Sequence, residues 1–510
     1  MKIKILLINT NQEKFDTVVM PIGLAYVASF LKDRGHEVRA LDLCFEKNIP
    51  PLIKKELTQF QPHIIGLSIR NVDTVSFIYP NWQLEKVKEI VNIIKDTSKS
   101  PIILGGAAVS ILPKEILQYL GCNYAVIGDG EETLSEVAQK IAAAQNFEDT
   151  KGLATLKNGR FISSLPNRCK EFSWSRLPEW IDLKKYFRAQ AGIPIQTKRG
   201  CINQCIYCVY ANIEGDSYRL RPVEDIADEI EWLIKKTGYR YFDFVDSTFN
   251  LPLRHSLDIC RQIIKRKIRA RFTTMGINPK ETSEELFRLM KEAGFSSMEI
   301  TAESGSDKML KVMKKGFNKE DAIRTAELSN KSGLFCAWFF LFGSPGETQN
   351  TIEESLEFAK KYLHSKNNLV IFTLGIRLFR GTELEKMIRK EGFVAGEYDM
   401  LKPLFYLYPG LDKEKAFDSI KEVCERRDNF IITLEESFSR LSMQIYTHVL
   451  KVLRLPPPHW RYIRNIIALP IIKQMRKSSL EKIRKKIEET KIQPSGTFTA
   501  TLKKEILSPV

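Results

Sequence analysis

Three cysteines lie close together near the middle of the chain, at Cys201, Cys205 and Cys208, and no fourth cysteine is near them. Thiolates are the usual ligands of iron–sulfur clusters, and a four-iron cluster normally takes four of them. Three ligands on one short loop leave one iron open for a substrate or a cofactor. A structural zinc site is the alternative, but zinc favours four closed ligands, often as paired Cys-x2-Cys units, and this sequence has no second pair. The spacing therefore favours a cluster with an open iron.

The length and composition of the chain set the class of protein. Its 510 residues are too many for one ordinary core and predict two to four domains. No uncharged stretch is long enough to span a bilayer, and the first residues read as a buried strand without a signal-peptide cleavage site, so we expect a cytoplasmic protein. The other six cysteines are scattered, as expected for small core residues in a reducing compartment. They are Cys44, Cys122, Cys169, Cys260, Cys336 and Cys424.

Short apolar runs alternate with amphipathic helical stretches over residues 1–150. This pattern predicts a parallel sheet covered on both faces, as in a flavodoxin-like, doubly wound α/β domain. A ligand of such a domain lies across the carboxyl ends of the strands. The predicted strands are Ile3–Ile8, Val38–Leu43, His63–Ile69, Pro101–Leu104 and Tyr124–Ile127.

Polar residues and glycines follow several of these predicted strands. Glycine at a strand exit lets the backbone approach a ligand closely and present its N–H groups. The candidate ligand-binding residues at these ends are Asn9, Arg70, Asn71, Gly105, Gly106, Gly128, Gly130 and Glu131.

A second series of strand and helix patterns begins at about residue 192, after a linker that we place at residues 151–190. The cysteine loop follows the first of these strands. The predicted strands are Ile193–Lys198, Tyr241–Val245, Arg271–Met275, Ser297–Ala302, Phe335–Phe342 and Leu369–Ile376. If these units form a parallel α/β barrel, the reactive residues are expected on the loops that follow its strands.

The cysteine loop, with Tyr207 before its last cysteine, resembles the signature of the radical S-adenosylmethionine (SAM) superfamily. The strand-end motifs upstream resemble the cobalamin-binding domain of the cobalamin-dependent members of that group. The resemblance covers roughly residues 1–385. It implies a cobalamin-binding domain over residues 1–150, a partial (β/α)6 barrel over residues 191–385, and a four-iron cluster whose open iron binds SAM.

The resemblance also implies roles for residues on the later loops. Asp246 and Ser247 lie where the family holds the SAM amino group, although the usual glycine-rich, glutamate-ended loop is absent. Glu303 and Ser304 match a Glu-Ser-Gly motif that hydrogen-bonds the polar end of SAM, and Tyr207 is counted with these cofactor-binding residues. Gly343–Thr348 matches a turn near the adenine, where Thr348 can cap the next helix; Glu347 there is read as part of the helix start.

One departure concerns the lower face of the cobalamin. The Asp-x-His-x-x-Gly motif that supplies an axial histidine in many cobalamin proteins is absent. His63 stands at the start of a predicted strand, which is the wrong end to reach the corrin. The resemblance implies cobalamin without a histidine ligand, and we place Arg70 beneath the ring; pairing of Arg70 with Asp73 is the equal alternative. Arg377 could likewise bind a substrate anion or pair with Glu383.

The C-terminal region, residues 386–510, matches no motif and is expected to be mainly helical. Its last sixty residues carry 14 Lys or Arg against 4 Asp or Glu, out of a net charge of +16 for the chain. Apolar and aromatic residues interleaved with arginines over residues 451–475 suit an interfacial membrane segment and a lipid-like substrate. They also suit a helix that packs on the barrel and exposes a basic face, which is the interpretation that we favour.

The function that the resemblance implies is methylation of an unactivated carbon or phosphorus. One SAM would methylate the cobalamin, and a second would be cleaved to a deoxyadenosyl radical that abstracts hydrogen from an unidentified substrate. A low-potential donor such as flavodoxin or ferredoxin would supply the electron. Two alternatives stay open: a radical enzyme that catalyses a cyclisation, ring contraction or carbon–carbon coupling, and a cobalamin-dependent regulator that binds nucleic acid. The regulator has no need of the cysteine triplet, and no helix-turn-helix pattern supports it.

Overall fold

A computed structural model describes residues 2–500 apart from 15–17, 77, 79, 171, 173, 391–398, 434–444, 447, 451, 454, 456 and 468. The described residues form two seven-stranded sheets, each covered by helices, and two small sheets. Part of the C-terminal region that we predicted to be mainly helical lies outside the described residues.

The first sheet confirms the flavodoxin-like prediction. Its strand order is β2-β1-β3-β4-β5-β6-β7, and β1 to β5 pair in parallel, so their order is the doubly wound 2-1-3-4-5. The strands are β1 Lys4–Asn9, β2 Glu37–Asp42, β3 Ile64–Ser68, β4 Ile102–Gly105, β5 Tyr124–Val126, β6 Leu153–Lys157 and β7 Arg160–Ser163. Helices on both faces bury β1, β3 and β4, which is why these strands read as continuous apolar runs.

Six helices accompany this sheet. They are α1 Ile22–Asp33, α2 Ile49–Phe60, α3 Leu84–Thr97, α4 Ala107–Ile111, α5 Pro113–Leu120 and α6 Glu131–Ala142. Helix α6 begins directly after the strand end of β5, with Gly130 at its N-cap position and two glutamates in its first turn. Carboxylates there are stabilised by the positive end of the helix dipole.

The first sheet extends beyond residue 150, into the segment that we predicted to be a linker. Strands β6 and β7 form an antiparallel hairpin on the edge of the sheet. The signal for this hairpin is present in the sequence, because Asn158-Gly159 is a two-residue turn in which both φ angles are positive, at 48° and 77°. Two short helices, α7 Leu177–Trp180 and α8 Leu183–Arg188, complete the connection to the second sheet.

The second sheet is an open, all-parallel partial barrel. Its order is β8-β11-β12-β13-β14-β15-β18, so it has a seventh strand in addition to the six that we predicted. The strands are β8 Ile193–Ile195, β11 Tyr241–Phe244, β12 Arg271–Ile277, β13 Phe295–Glu303, β14 Phe335–Phe342, β15 Asn368–Leu374 and β18 Phe430–Ile432. The seventh strand has three residues, too few for its apolar pattern to stand out from the neighbouring helix.

Two small sheets complete the strands. One pairs β9 Lys198–Arg199 with β10 Arg219–Leu220, and the other contains β16 Ile376–Arg377, β17 Leu404–Tyr406 and β19 Thr497–Thr499. The helices from the barrel onward are α9 Tyr210–Glu214, α10 Val223–Thr237, α11 Leu253–Lys265, α12 Glu284–Ala293, α13 Asp307–Val312, α14 Lys319–Ser332, α15 Gln349–Tyr362, α16 Glu383–Lys390, α17 Lys413–Arg426, α18 Ile463–Ile467 and α19 Pro470–Glu489.

The described part of the basic C-terminal region packs on the barrel. Ile463 and Ile467 of α18 join a buried cluster with residues of β14, β15 and β18. Leu480 and Ile483 of α19 are buried in the main core of the barrel. This packing matches the second of our two interpretations of the region. Among the residues with an assigned conformation, no helix combines the length and hydropathy needed to cross a membrane.

Candidate functional site

The cysteine loop lies between β9 and α9, at the carboxyl end of the first barrel strand. Its entry and exit are joined, because the backbone N–H of Cys201 donates to the carbonyl of Gly215 over 3.0 Å. Gly200 has a φ of 93°, and a Cβ there would lie 2.0 Å from the carbonyl oxygen of Ser217. Only glycine fits at this point, so the residue before Cys201 fixes how the loop begins.

The three thiols lie in surroundings that fit metal ligands. Cys201 is buried, whereas Cys205 and Cys208 are half-buried. Burial raises the pKa of the Cys208 thiol to about 12, and it raises the pKa of Cys205 as well. These thiols therefore ionise when a positive group such as a metal centre compensates for the lost water. In the described part of the chain no three His, Cys, Asp or Glu side chains are grouped closely enough to hold one metal ion together. In a four-iron cluster, by contrast, each thiolate binds a different iron.

A buried lysine stands beside this loop. Nζ of Lys315 lies 3.2 Å from the hydroxyl of Tyr207 and 3.6 Å from a carboxylate oxygen of Glu303. Lys315 is 4 % exposed, and its charge lowers the pKa of Cys205 against the effect of burial. Tyr207 and Glu303, which we predicted to bind cofactor, are thus joined through a residue that sequence reasoning missed. The loop after α13 carries no motif that singles out Lys315.

Asp246 is held by the protein itself. It forms a fully buried ion pair with Lys198 over 3.1 Å, and it accepts hydrogen bonds from the backbone N–H and the hydroxyl of Thr197. Its carboxylate therefore fixes β9 at the start of the cysteine loop. Ser247 donates to the carbonyl of Gly200 over 3.0 Å, which ties the next loop to the same point. The predicted contact of both residues with the SAM amino group stays a prediction.

The later loops are also fixed by internal contacts. The hydroxyl of Ser304 lies 3.0 Å from that of Ser355 and is buried. Thr348 caps α15 by accepting from the N–H of Thr351, which confirms its predicted role. Glu347 accepts from the hydroxyl of Thr351 over 2.6 Å, as expected for part of a helix start.

The strand ends of the first sheet present glycines with different neighbours. A Cβ on Gly105 would meet no atom within 4 Å, so this exit faces open space. A Cβ on Gly106, whose φ is 101°, would lie 2.5 Å from the carbonyl oxygen of Ile69. Gly105 therefore offers a backbone that a ligand can approach, while Gly106 is needed for the turn. Asn9 is buried and donates to Asp42 over 2.8 Å.

Arg70 and Asn71 are exposed at the carboxyl end of β3. The amide group of Asn71 lies 3.2 Å from Nη1 of Arg70. Asp73, our alternative partner for Arg70, instead forms a buried ion pair of 2.8 Å with Arg377. This pair also corrects the alternative in which Arg377 binds Glu383. His63 accepts a bond from the N–H of Lys4 at the other end of β3, away from these residues.

The turn after β5 faces the barrel. We call residues Gly128–Glu131 the acidic turn. Nη2 of Arg199 lies 2.6 Å from a carboxylate oxygen of Glu131, and Arg219 pairs with Asp129. Arg199 and Arg219 belong to β9 and β10, which flank the cysteine loop. Glu131, predicted to bind cofactor, therefore uses one of its carboxylate oxygens on a neighbouring domain.

A carboxyl group beside the loop, that of Glu214, and one on β11, that of Asp243, also have a raised pKa. Burial raises the pKa of Glu214, in α9, to about 7; its oxygens accept from the N–H of Gly200 and from Gln196. Burial also raises the pKa of Asp243, on β11, to about 7. An oxygen of Asp243 is buried without a hydrogen-bond partner among the described residues. Sequence reasoning missed both, because isolated acids in an amphipathic or strand pattern read as ordinary surface residues.

Comparisons with known proteins find a different family in each of the two large α/β units. Residues 10–138 match the B12 binding domain, and residues 195–359 match the radical SAM superfamily. An uncharacterized methyltransferase of Pyrococcus horikoshii is 26% identical over 67% of this chain and 73% of its own length. Tryptophan 2-C-methyltransferase of Streptomyces laurentii is 23% identical over 76% of this chain and 74% of its own length.

A solved structure shares the fold. The radical S-adenosylmethionine methyltransferase TsrM of Kitasatospora setae, determined with cobalamin and a 4Fe-4S cluster, superposes with a TM-score of 0.79. The superposition covers 95% of this chain and all of TsrM at 22% identity. The chain therefore shares the fold of that protein over nearly its whole length.

Proposed function

We propose that this protein transfers a methyl group to an unactivated carbon or phosphorus atom. The chain belongs to the cobalamin-dependent radical SAM enzymes. The observation that carries this proposal is the direct contact between the two domains at their strand ends. The cysteine loop follows the first barrel strand, and the acidic turn of the B12-binding domain pairs with the arginines on both sides of that loop. The relatives that are named as methyltransferases favour methylation over the other reactions of this group.

The residues of this chain fit the cofactors that such a reaction needs. Cys201, Cys205 and Cys208 would hold the four-iron cluster, and the open strand end at Gly105 would receive the cobalamin. The cofactors supply the methyl carrier, the radical and the electron transfer, while the protein binds, orients and excludes water. Lys315 places a positive charge beside the thiolates and holds Tyr207 by its hydroxyl.

The lower face of the cobalamin would meet Arg70 and Asn71. Both are exposed at the end of β3. Asp73 forms its ion pair with Arg377, so Arg70 does not pair with that carboxylate. A guanidinium stays protonated and cannot bind cobalt. This arrangement favours a cobalt centre without a protein ligand below it.

We also propose the setting in which the enzyme works. A low-potential donor, such as flavodoxin or ferredoxin in the cytoplasm, would reduce the cluster. The substrate is a small or lipid-like molecule, and contact with an anionic membrane through residues 451–510 would deliver a lipid-like one. Sedimentation with anionic and neutral liposomes tests that contact. Binding that requires anionic lipid and weakens with salt supports it, and no binding in any lipid removes it.

Anaerobic incubation of the reconstituted enzyme with methyl-labelled SAM and a panel of substrates tests the reaction. Methylation yields S-adenosylhomocysteine beside deoxyadenosine and moves the label to the substrate. The variant with Cys201, Cys205 and Cys208 changed to alanine is the control, since it keeps the B12-binding domain and loses the cluster ligands. Deoxyadenosine without S-adenosylhomocysteine would instead indicate a radical reaction that does not methylate.

A further inference from the structure

We infer that the acidic turn, Gly128–Glu131, is a positioning element that fixes the cysteine loop relative to the cobalamin, acting through Arg199 and Arg219. This inference rests on the proposed function for the presence of both cofactors. It assigns Glu131 to the contact between domains rather than to direct binding of a cofactor.

The two arginines are placed to control the cysteine loop from both sides. Arg199 stands two residues before Cys201, on β9, and Arg219 stands on β10, after the loop and helix α9. The two strands pair antiparallel with Arg219 opposite Arg199. One two-stranded ribbon therefore carries both guanidinium groups, and the chain between its strands contains all three cluster ligands.

The contacts with the acidic turn are short and enclosed. Arg199 lies 2.6 Å from Glu131 and 3.4 Å from Asp129, and Arg219 pairs with the other oxygen of Asp129. The four side chains are between 3% and 15% exposed. Two positive and two negative charges thus compensate each other where water cannot replace a lost partner. Four paired charges with this geometry have one favourable arrangement, so they fix the position of the β9–β10 ribbon relative to the acidic turn as well as attracting it.

The acidic turn also reaches the far end of the cysteine loop. The backbone N–H of Cys169 donates to Asp129 over 2.9 Å. The preceding residue, Arg168, donates to the carbonyl of Asn212 over 2.8 Å and to that of Ile213, both in α9. Asp129 therefore holds the chain segment whose arginine binds the helix after Cys208.

The turn has no free space in which to shift. Gly128 has a φ of 82°, and a Cβ there would lie 2.9 Å from the carbonyl oxygen of Asn167. A Cβ on Gly130 would lie 3.1 Å from Val27 of α1. The glycines that resemble a cofactor-binding motif are thus required by the packing of this turn. Close packing therefore accounts for the glycines that alternate with the acids in this turn, since there is no open surface beside Gly128.

The test measures the distance between the two cofactors and needs no substrate. Glu131→Gln keeps the shape of the side chain and removes its charge. The full chain is reconstituted with iron, sulfide and hydroxocobalamin, and pulsed EPR measures the distance between cob(II)alamin and the reduced cluster. We expect unchanged iron and cobalamin contents and a broader distance distribution than in the unaltered protein. The rate of methyl transfer, once a substrate is known, should fall by about 100-fold, as for a misplacement near 1 Å.

Asp33→Asn is the matched control. It removes an ion pair of 2.7 Å with Arg176, which also joins the B12-binding domain to the connecting segment but lies on the surface. This control should leave the distance distribution unchanged. If Glu131→Gln does not fold, Arg219→Lys keeps the charge while reducing the contacts, and it is measured in the same way.

Three results would overturn the inference or its premise. An unaltered distance distribution in the tested variant removes the positioning role. Loss of bound cobalamin in Glu131→Gln assigns Glu131 to the cofactor and also overturns the inference. Failure of the unaltered protein to bind cobalamin overturns the proposed function instead.

Discussion

Nζ of Lys315 lies 3.2 Å from the hydroxyl of Tyr207, the residue directly before the third cluster cysteine. The lysine is buried, and Glu303 is its nearest carboxylate at 3.6 Å. A positive charge is therefore held at a fixed position beside Cys205 and Cys208. Coulomb interactions are strong where water is excluded, so this lysine should influence the redox behaviour of the cluster.

We expect Lys315→Met to make the reduction potential of the cluster more negative. Reduction adds negative charge, and a nearby cation stabilises the reduced state; the potentials of such clusters depend on net charge and solvent exposure. Redox titration followed by EPR measures the shift. Lys315→Arg should keep the potential close to that of the unaltered protein. Lys314→Met, at a half-exposed neighbouring position that pairs with Glu383, is the control, and an equal potential in Lys315→Met would contradict the prediction.

Changing Cys201, Cys205 and Cys208 together to alanine should reduce the iron content from about four per chain to near zero after anaerobic reconstitution. Chemical iron and sulfide analysis measures this, with the visible absorbance as a second readout. Cys260→Ala is the matched control, since Cys260 is a buried cysteine on α11 and does not belong to the cysteine loop. Iron retained by the triple variant would show that the cluster ligands lie elsewhere.

The EPR spectrum of the cob(II)alamin form should lack nitrogen superhyperfine splitting, because we propose that Arg70 and not a histidine would lie beneath the corrin. His63 lies at the amino end of β3, where it accepts from Lys4, whereas Arg70 lies at the carboxyl end. His63→Ala should leave the spectrum unchanged. Clear splitting that disappears in this variant would refute both the missing ligand and the placement of His63.

Asp243 should make stability depend on pH. Burial raises its pKa to about 7 in the folded protein, against about 3.9 in an unfolded chain. The folded state therefore holds the proton more tightly, and stability falls as the pH rises from about 4 to about 7. Relative to Asp243→Asn, the cofactor-free protein should lose about 2 to 3 kcal/mol between pH 5 and pH 8.

Thermal melting of the two proteins at both pH values measures this difference. Thr273→Val is the control, because Thr273 bonds Ser297 in the same barrel and carries no titratable group. Its effect should be equal at pH 5 and pH 8. An Asp243→Asn effect that is likewise independent of pH would show that the Asp243 carboxyl titrates normally.

Asp73→Asn should destabilise the protein by about 3 kcal/mol, because it leaves the buried guanidinium of Arg377 without its charged partner. Both side chains are 1% exposed, and the pair joins the B12-binding domain to the barrel. Denaturant unfolding measures the loss. Arg254→Ala breaks a pair with Asp258 in which the arginine is 94% exposed, and it should change stability by less than about 1 kcal/mol. Equal effects of the two variants would show that the Asp73 pair does not stabilise the domain contact.

The amino-acid sequence by itself determined the two parallel α/β domains and the place of the cysteine loop. Apolar runs such as Ile3–Ile8 and Phe335–Phe342 mark strands that are buried on both faces, and each lies within one residue of the observed strand. The three cysteines lie within eight consecutive residues, so their proximity needs no tertiary information. The capping role of Thr348 could also be predicted from the sequence, since a capping threonine acts on backbone groups three residues away.

Only the tertiary structure decided how the polar residues are paired. Arg377 and Asp73 are 304 residues apart, and Arg199 and Glu131 are 68 apart. Any of these arginines could have met several carboxylates, and local patterns carry no information about which one is near. Lys315 has no motif around it, and Asp246 proved to be enclosed by Lys198 and Thr197. Local spacing fixes neighbours along the chain, whereas the partners of a buried charge depend on how the two domains pack.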